Sequence, residues 1–542
     1  MASSVGIALD IGTSGLRAQA IDLSSSSVLA TAVTTRHPLP GANVIDHLHF
    51  ALEMGVETAG EGMAEAVNQL VASLPIQACE IERLAVCGNP TQLSLFQSSE
   101  IRDLAYAGER KLVELGVTSP TREAAVLAAR DLPGLRLAPH CEVIIPPAVR
   151  HEIGADALAL LIQTGMLEKD ENALATDYGT NAEIALVHRG QVFTGSTAAG
   201  PALEGQQIAC GMLAMPGAIA DLEAEPPYFR LAILDAEMHP GGGPLVDLRD
   251  GRIVMGSRVR PTGITGTGTI AILSQALEAG LVVLPNIHTP DGRLHFGEEI
   301  WFGKEDLFEA GKAIGAVRAG HIALCHEAGI GLDEIPTAYM AGASGTYVDT
   351  VKAQRLGLVP PRVKTIYQVG NTSLAMARDL VKDPRKLDQM SALAERLRQS
   401  HCMFATSKAF GQAYLLELSF WGEGMPISMY RKFLKRYGLP ALPEIDGMPN
   451  VARLVERDIP DLGQMGLTIV TDIGRRSHAS FDGCIACMDC VTACPENALS
   501  LASDETPTRF GLYHSLCAGM ACRRCERSCP ERIFDLRRFF CP

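Results

Sequence analysis

The chain contains no long uninterrupted apolar run. Its most apolar stretches, such as Ile264 to Leu284, carry Thr, Gln and Glu and are broken by Gly, which argues against a membrane-spanning helix. The first residues, Met-Ala-Ser-Ser-Val-Gly, lack a basic n-region and an apolar h-region and run straight into a strand pattern, so no secretory leader is expected. No basic stripe with interleaved aromatics occurs. The formal charge of −15 makes the surface acidic, and an acidic surface repels phosphate backbones, which argues against a nucleic-acid partner. Together these absences predict a soluble, cytoplasmic protein that meets neither membrane nor nucleic acid.

The composition is globular: 542 residues, 47% hydrophobic and 20% charged. That length exceeds one ordinary core and fits a two-lobed body with an appended module. Of the 15 cysteines, seven (Cys79, Cys87, Cys141, Cys210, Cys325, Cys402 and Cys541) are scattered and read as small buried hydrophobes. The other eight are grouped. Cys484, Cys487, Cys490 and Cys494-Pro495 follow C-x2-C-x2-C-x3-C-P, the bacterial ferredoxin spacing, in which three thiolates wrap one cubane and the fourth reaches a second. Cys517, Cys522, Cys525 and Cys529-Pro530 repeat the cadence with the first gap widened from two residues to four. Zinc sites more often pair separated C-x2-C units, and disulfides do not suit a chain without a leader. The exchange of the fourth ligand predicts one 4Fe–4S cluster on Cys484, Cys487, Cys490 and Cys529, and another on Cys517, Cys522, Cys525 and Cys494.

The N-terminal stretch from Val5 to Asp22 reads as a short apolar strand, a Gly-rich turn and a second strand, with Asp10, Gly12, Thr13, Ser14 and Gly15 at the turn. Glycines admit an anion to backbone N–H groups, the Thr13 and Ser14 hydroxyls suit phosphate oxygens, and Asp10 suits hydrated magnesium. A bare hairpin has the same local pattern. An echo about 167 residues later favours the phosphate reading: Asp177-Tyr-Gly179-Thr180-Asn181, again between strand patterns. Two such hairpins imply two related lobes with a nucleotide between them.

These motifs resemble the two phosphate loops of the superfamily of acetate and sugar kinases, Hsp70-type chaperones and actin. Gly342-Ala343-Ser344-Gly345 resembles its adenosine-binding turn, and Gly370-Asn371-Thr372-Ser373 is a further loop of that kind. Cys87-Gly88-Asn89-Pro90-Thr91, Pro146-Pro147-Ala148, Gly154-Ala155-Asp156, the run from Ala199 to Gly205 and Gly263 to Gly268 resemble one branch, the ATP-dependent reductive activators of corrinoid proteins. A tail with two cubanes resembles the type serving methylamine methyltransferase systems.

The resemblance implies an α/β, two-lobed actin-like and sugar-kinase-like ATPase fold followed by a small α+β bacterial-ferredoxin-like domain. The expected boundaries are 1–150 for the first lobe, 151–437 for the second with its nucleotide-binding loops, 438–480 for a connector and 481–542 for the ferredoxin-like domain. Asp10 and Asp177 are expected to serve catalysis with ATP and Mg2+. Glu204 stands either as a residue positioning water or as a helix N-cap neighbour, and His151 reads as structural. Gly266-Thr-Gly268-Thr-Ile-Ala271 also fits a dinucleotide fingerprint, but a packed helix start explains the same glycines.

The implied activity is reduction of inactive Co(II) corrinoid to Co(I), with a corrinoid protein and a low-potential electron donor as partners. The alternatives are a small-molecule kinase with an attached redox module, or an ATP-driven electron injector for a dehydratase or reductase. Arg523, Arg524, Arg527, Arg532, Arg537 and Arg538 either offset cluster charge or guide an acidic partner. Two four-thiol sets predict about eight iron and eight sulfide per chain on anaerobic reconstitution. Stoichiometric zinc, or a single two-iron centre, would contradict that reading.

Overall fold

A computed structural model describes residues 4–77, 80–106, 109–149, 153–197, 201–205, 207–236, 238–398, 402–503 and 508–540. Cys79, His151, Ala199, Gly200 and Cys541 lie outside the described residues. The chain divides into two compact units: Met1–Ala159, Ser373–Arg396 and Asp461–Pro542 form the first, Leu160–Thr372 and Leu397–Pro460 the second.

In the first unit, Val5–Ile11, Leu16–Asp22 and Val28–Thr34 form an antiparallel meander, and Ile81–Gly88 then Glu142–Ile145 add in parallel beside Val5–Ile11. All seven residues of Val5–Ile11 are buried, as expected of a central strand covered on both faces. The second unit repeats this plan. Ala173–Tyr178, Ala182–His188 and Gln191–Thr197 make the meander, with Thr337–Ala341 and Thr365–Gly370 parallel beside Ala173–Tyr178. The duplication inferred from the two hairpins therefore extends through both sheets. A further five-stranded sheet, including Ala218–Glu225, Tyr228–Leu234 and Pro240–Val246, belongs to the second unit.

The units cross the expected boundaries in two places. Helix Thr372–Lys382 supplies Val381, whose side chain occupies the space a Cβ on Gly6 would need, and whose carbonyl accepts from Arg83 Nη1 at 2.7 Å. Residues 373–396 are thus drawn to the first unit rather than the second lobe. The proline-punctuated connector also contributes sheet edges: Asn450–Arg453 pairs in parallel with Thr365–Gly370, and Leu467–Val470 with Val28–Thr34. Pairing of exposed edges explains this, because an edge strand offers an open row of N–H and C=O groups.

The C-terminal module carries the antiparallel strands Arg476–Ser480, Arg509–Tyr513 and Leu499–Ser503, with Arg509–Tyr513 central. Its core is aromatic: Phe481 stacks on Phe534 with ring centroids 4.6 Å apart, and Phe510 and Phe539 pack around them. Among the described residues no helix is long and apolar enough to cross a membrane.

The second unit's core is built on helix Lys304–Ala328, buried along most of its length, against helix Lys408–Glu423. Gly311 lets Trp421 approach, since a Cβ there would lie 2.7 Å from the Trp421 Cβ. Arg318 donates Nε to Glu417 Oε1 at 2.6 Å and Nη2 to Oε2 at 2.5 Å, and the Tyr430 hydroxyl donates to the same carboxylate. Removing one member of a buried pair strands the other charge. Glu417→Leu should therefore lower the stability of this unit by about 3–5 kcal/mol, read as a denaturant midpoint shift. A change under about 1 kcal/mol, the size expected of a surface pair, would contradict this account.

Candidate functional site

Asp10 sits near the end of its strand, opposite Arg17 in register, with Arg17 Nη1 3.4 Å from Asp10 Oδ2. The turn closes through the Gly12 N–H, which donates to the Gly15 carbonyl at 3.1 Å. A Cβ on Gly12 would lie 2.9 Å from that carbonyl, so the turn needs glycine. The Thr13 hydroxyl accepts from Asn89 Nδ2 at 3.1 Å, leaving its own proton for an anion. Asn89 caps helix Pro90–Phe96, its Oδ1 accepting from the Gln92 N–H at 3.0 Å.

The folded unit adds a residue that sequence reasoning did not place in the site. Asp156, at the start of helix Ala155–Thr164, has its carboxyl pushed up to about 6 by burial, with the negative charge of Asp10 adding to the effect. Cys87 feels the same corner: burial pushes its thiol well up, and Asp10 and Asp156 push it further. Gly154-Ala155-Asp156 carried a family resemblance in sequence, but only the tertiary approach to Asp10 gives that carboxyl a chemical role.

The second hairpin closes similarly, the Gly179 N–H donating to the Asn181 carbonyl at 3.1 Å. Thr180 donates its hydroxyl to Glu204 Oε2 at 2.7 Å, so Glu204 belongs to this loop. Asp177 Oδ1 occupies the space a Cβ on Gly342 would take, and Gly342 has φ +78°, so glycine is required twice over. The turn through Ala343 and Gly345 is held on two sides. Ser344 donates to the Leu203 carbonyl at 3.2 Å, and Gln368 Nε2 donates to the carbonyls of Gly345, Thr346 and Val348 at 2.8, 2.9 and 3.1 Å. The second unit thus gathers Asp177, Gly179, Thr180, Asn181, Glu204 and the Gly342–Gly345 turn; the first gathers Asp10, Gly12, Thr13 and Ser14 with Asp156. Gly266 and Gly268 are packing glycines: added Cβ atoms would run into the Leu203 and Ile219 carbonyls. Asp221, Glu223 and Asp349 cluster nearby in space, but Lys352 Nζ lies 2.6 and 2.8 Å from the first two and neutralises them.

In the C-terminal module, Cys484, Cys487, Cys490 and Cys529 line one cavity whose other walls are Phe481, Phe510, Ile533, Phe534 and Met488. Four thiols around an apolar hollow fit the donor set of a cubane. Cys494, Cys517, Cys522 and Cys525 form the other group, with Cys517 facing the charges of Cys494 and Cys522, and Cys525 those of Cys517 and Cys494. Positive φ at Ala486, Met488, Asn497 and Arg523 bends these loops around the sulfurs. Backbone N–H groups already aim at sulfur: Ala486 N lies 3.4 Å from Cys484 Sγ, and Ala498 N 3.3 Å from Cys494 Sγ. Burial pushes the Cys490 thiol up to about 11 and the Cys517 and Cys525 thiols up to about 12. Of the scattered cysteines, Cys87, Cys141 and Cys325 are fully buried and Cys210 and Cys402 half-buried.

Three family models match this arrangement: the RACo middle region over residues 5–169, the C-terminal ASKHA domain of RACo over 171–431, and a 4Fe-4S dicluster domain over 483–536. A Co(II) methylated amine-specific corrinoid protein reductase of Methanosarcina barkeri is 46% identical over 511 residues, 94% of each chain. The chain belongs to the corrinoid reductive activator family. The corrinoid activation enzyme RamQ of Eubacterium limosum is 24% identical over 77% of this chain and 70% of that protein. A solved reductive activator for a corrinoid, iron-sulfur protein shares the fold, with TM-score 0.61 and 23% identity over 77% of this chain and 66% of that one. The activator thus combines an ASKHA-type ATPase body with an iron–sulfur dicluster domain.

The Asp156 corner has a pH signature. Its folded value of about 6 exceeds the ordinary 3.8, so the folded state holds the proton more tightly and stability falls as pH rises between about 4 and 6. In metal-free buffer, Asp156→Asn should be more stable than the parent at pH 8 by an amount on the order of 2 kcal/mol, with no such gain at pH 4. Thermal melts across that range check this; a difference that does not vary with pH would remove the carboxylate-pair explanation.

Proposed function

We propose that this chain is an ATP-dependent reductive activator of the corrinoid proteins of methylamine methyltransferase systems, working in the cytoplasm. It returns inactive Co(II) corrinoid to Co(I) with one electron from a low-potential donor. The observation that carries this reading is the match along 94% of both chains to a reductase whose name states that substrate. The site chemistry supports it independently, since one chain presents both phosphate-type hairpins and two four-thiol sets.

Two bound 4Fe–4S clusters supply one-electron transfer, and ATP with Mg2+ supplies binding free energy. Asp10 and Asp156 would hold the hydrated magnesium, Thr13 and Ser14 would donate to phosphate oxygens, and the Thr180 and Asn181 backbone N–H groups would do so from the second hairpin, the Thr180 hydroxyl being committed to Glu204. Asp177, leaning on Gly342, joins that hairpin to the adenosine turn. Glu204 orients the Thr180 hydroxyl and has lone pairs left to orient a water. The eight clustered cysteines ligate iron in the exchanged sets, with Phe481, Phe510 and Phe534 screening the first set from water.

The energetics close at a plausible size. An uphill one-electron gap of about 100 mV costs about 2.3 kcal/mol. A nucleotide that binds one state roughly fifty-fold tighter than the other offsets it. No phosphoryl acceptor is needed.

The test is anaerobic reconstitution with iron and sulfide, followed by ultraviolet–visible monitoring of a Co(II) corrinoid protein with reductant, with and without MgATP. Co(I) should accumulate only with MgATP. Asp10→Ala and Asp177→Ala should each abolish the ATP dependence while iron content stays at the parent level. A stoichiometric phosphorylated small molecule, formed without any protein partner, would replace this reading with the kinase alternative.

A further inference from the structure

A buried polar chain leaves the first phosphate hairpin and ends at the iron–sulfur module. It begins at Thr13, which accepts from Asn89, and passes through the Asn89 cap to Gln92. The Gln92 side chain is fully buried between two equally buried histidines, its Oε1 2.9 Å from His37 Nε2 and its Nε2 2.8 Å from His47 Nδ1. Because an amide carbonyl only accepts and an amide N–H only donates, this arrangement fixes both rings as neutral, with the proton on Nε2. The Leu39 N–H, donating to His37 Nδ1 at 3.2 Å, agrees with that tautomer. The rings stack 3.9 Å apart.

His47 Nε2 is the loose end. It is buried and makes no full hydrogen bond, although the Gly41 backbone lies close enough to raise the ring's affinity for a proton. An unsatisfied buried donor is costly, and such a group calls for a second arrangement in which it is paired. Gly41 is also where the module touches: its N–H donates to the Cys517 carbonyl at 2.9 Å. Gly519 lies in the widened gap between Cys517 and Cys522, and a Cβ there would sit 3.3 Å from Gly41 Cα. The Cys517 carbonyl and Gly519 of the widened gap therefore build this contact.

Helix Val44–Met54, which carries His47, makes further contacts with the module. Its Phe50 packs edge-on against Phe540 at 4.9 Å, and its Glu53 accepts from Arg523 Nη2 at 2.5 Å. One rigid element thus touches Gln92 at one side and the second cysteine loop at the other.

We propose that Gln92 and the His37–His47 pair are positioning residues that link Thr13, through helix Val44–Met54 and Gly41, to the loop of Cys517, so that nucleotide bound at Thr13 alters the setting of the cluster held there. This rests on the phosphate-loop and cluster assignments made under Proposed function. A change at Thr13 reorients Asn89, Asn89 shifts the cap at Gln92, and the Gln92 amide moves both histidines, because each link is a direct hydrogen bond made by a buried side chain.

The test uses the full-length, reconstituted protein and the non-hydrolysable analogue AMPPNP with Mg2+. Iron content, nucleotide affinity and an EPR-monitored redox titration are measured on the same sample. In the parent, the nucleotide should shift the midpoint or line shape of one reduced cluster. Gln92→Met, similar in volume but unable to hydrogen-bond to either histidine, should keep iron and nucleotide affinity and lose that shift. His47→Asn keeps an acceptor near the Nδ1 position and removes the ring edge near Gly41; it should give the same loss, and it serves if the Gln92 variant does not hold iron. A parent cluster insensitive to bound nucleotide overturns the proposal, as does a parent-sized shift in an iron-replete variant. A parent that fails to bind nucleotide or iron counts instead against the phosphate-loop or cluster reading, and the separate measurements distinguish these cases.

Discussion

Two carboxyl groups in one buried corner constrain everything around the first phosphate hairpin. Burial, with the charge of Asp10 adding to it, raises the cost of ionising Asp156, and the Arg17 guanidinium lies 3.4 Å from Asp10. A free polyphosphate would add negative charge to an already strained corner. On the proposed reading, a magnesium complex would bring positive charge to this corner together with the phosphates. The glycines at Gly12 and Gly15 then matter for access: they keep side chains away from the only approach by which backbone and hydroxyl donors can reach an anion.

The same unit also carries the redox module, and the chain leading to it is fastened along its length. Gln19 Nε2 donates to the Asp461 carbonyl at 2.6 Å, Leu467–Val470 joins the sheet beside Val28–Thr34, and Gln69 exchanges two hydrogen bonds with Gly474 at 2.8 and 3.0 Å. Each fastening uses backbone groups that a free tether would leave to water. The structure therefore places the thiol sets by the first sheet rather than on a swinging arm. The first hairpin and the clustered cysteines thus belong to the same compact unit.

What could be read from sequence was local. The thiol sets and the Asp-x-Gly-Thr hairpins are compact in sequence, so spacing, the echo of the hairpin and a family resemblance made them candidates, and the duplicated strand order followed from the second hairpin. What escaped was set by distant contacts. Asp156 gains its role only by approaching Asp10 across the sheet, and nothing within its own helix signals that approach. Residues 373–396 carry an ordinary amphipathic pattern that does not say which core receives them; Val381 against Gly6 decides it. In the connector the apolar run from Leu467 already reads as a short strand, whereas Asn450–Arg453, among prolines, becomes a strand only by extending a sheet edge. The widened cysteine gap, a bare departure in spacing, brings Gly519 against Gly41.

The arginines of the tail show how a charge count misleads without geometry. Arg523 is held by Glu53 and by the Met520 carbonyl, Arg537 by Asp535, Arg538 by the Ser480 carbonyl and Arg527 by the Cys522 carbonyl. A guanidinium already committed to a fixed acceptor contributes less to long-range steering than to the structure it holds, because its charge is partly neutralised at short range. These acceptors are the carbonyls and carboxylates around the cysteine loops. Their concentration there fits a shell that fixes loop geometry around the clustered thiols.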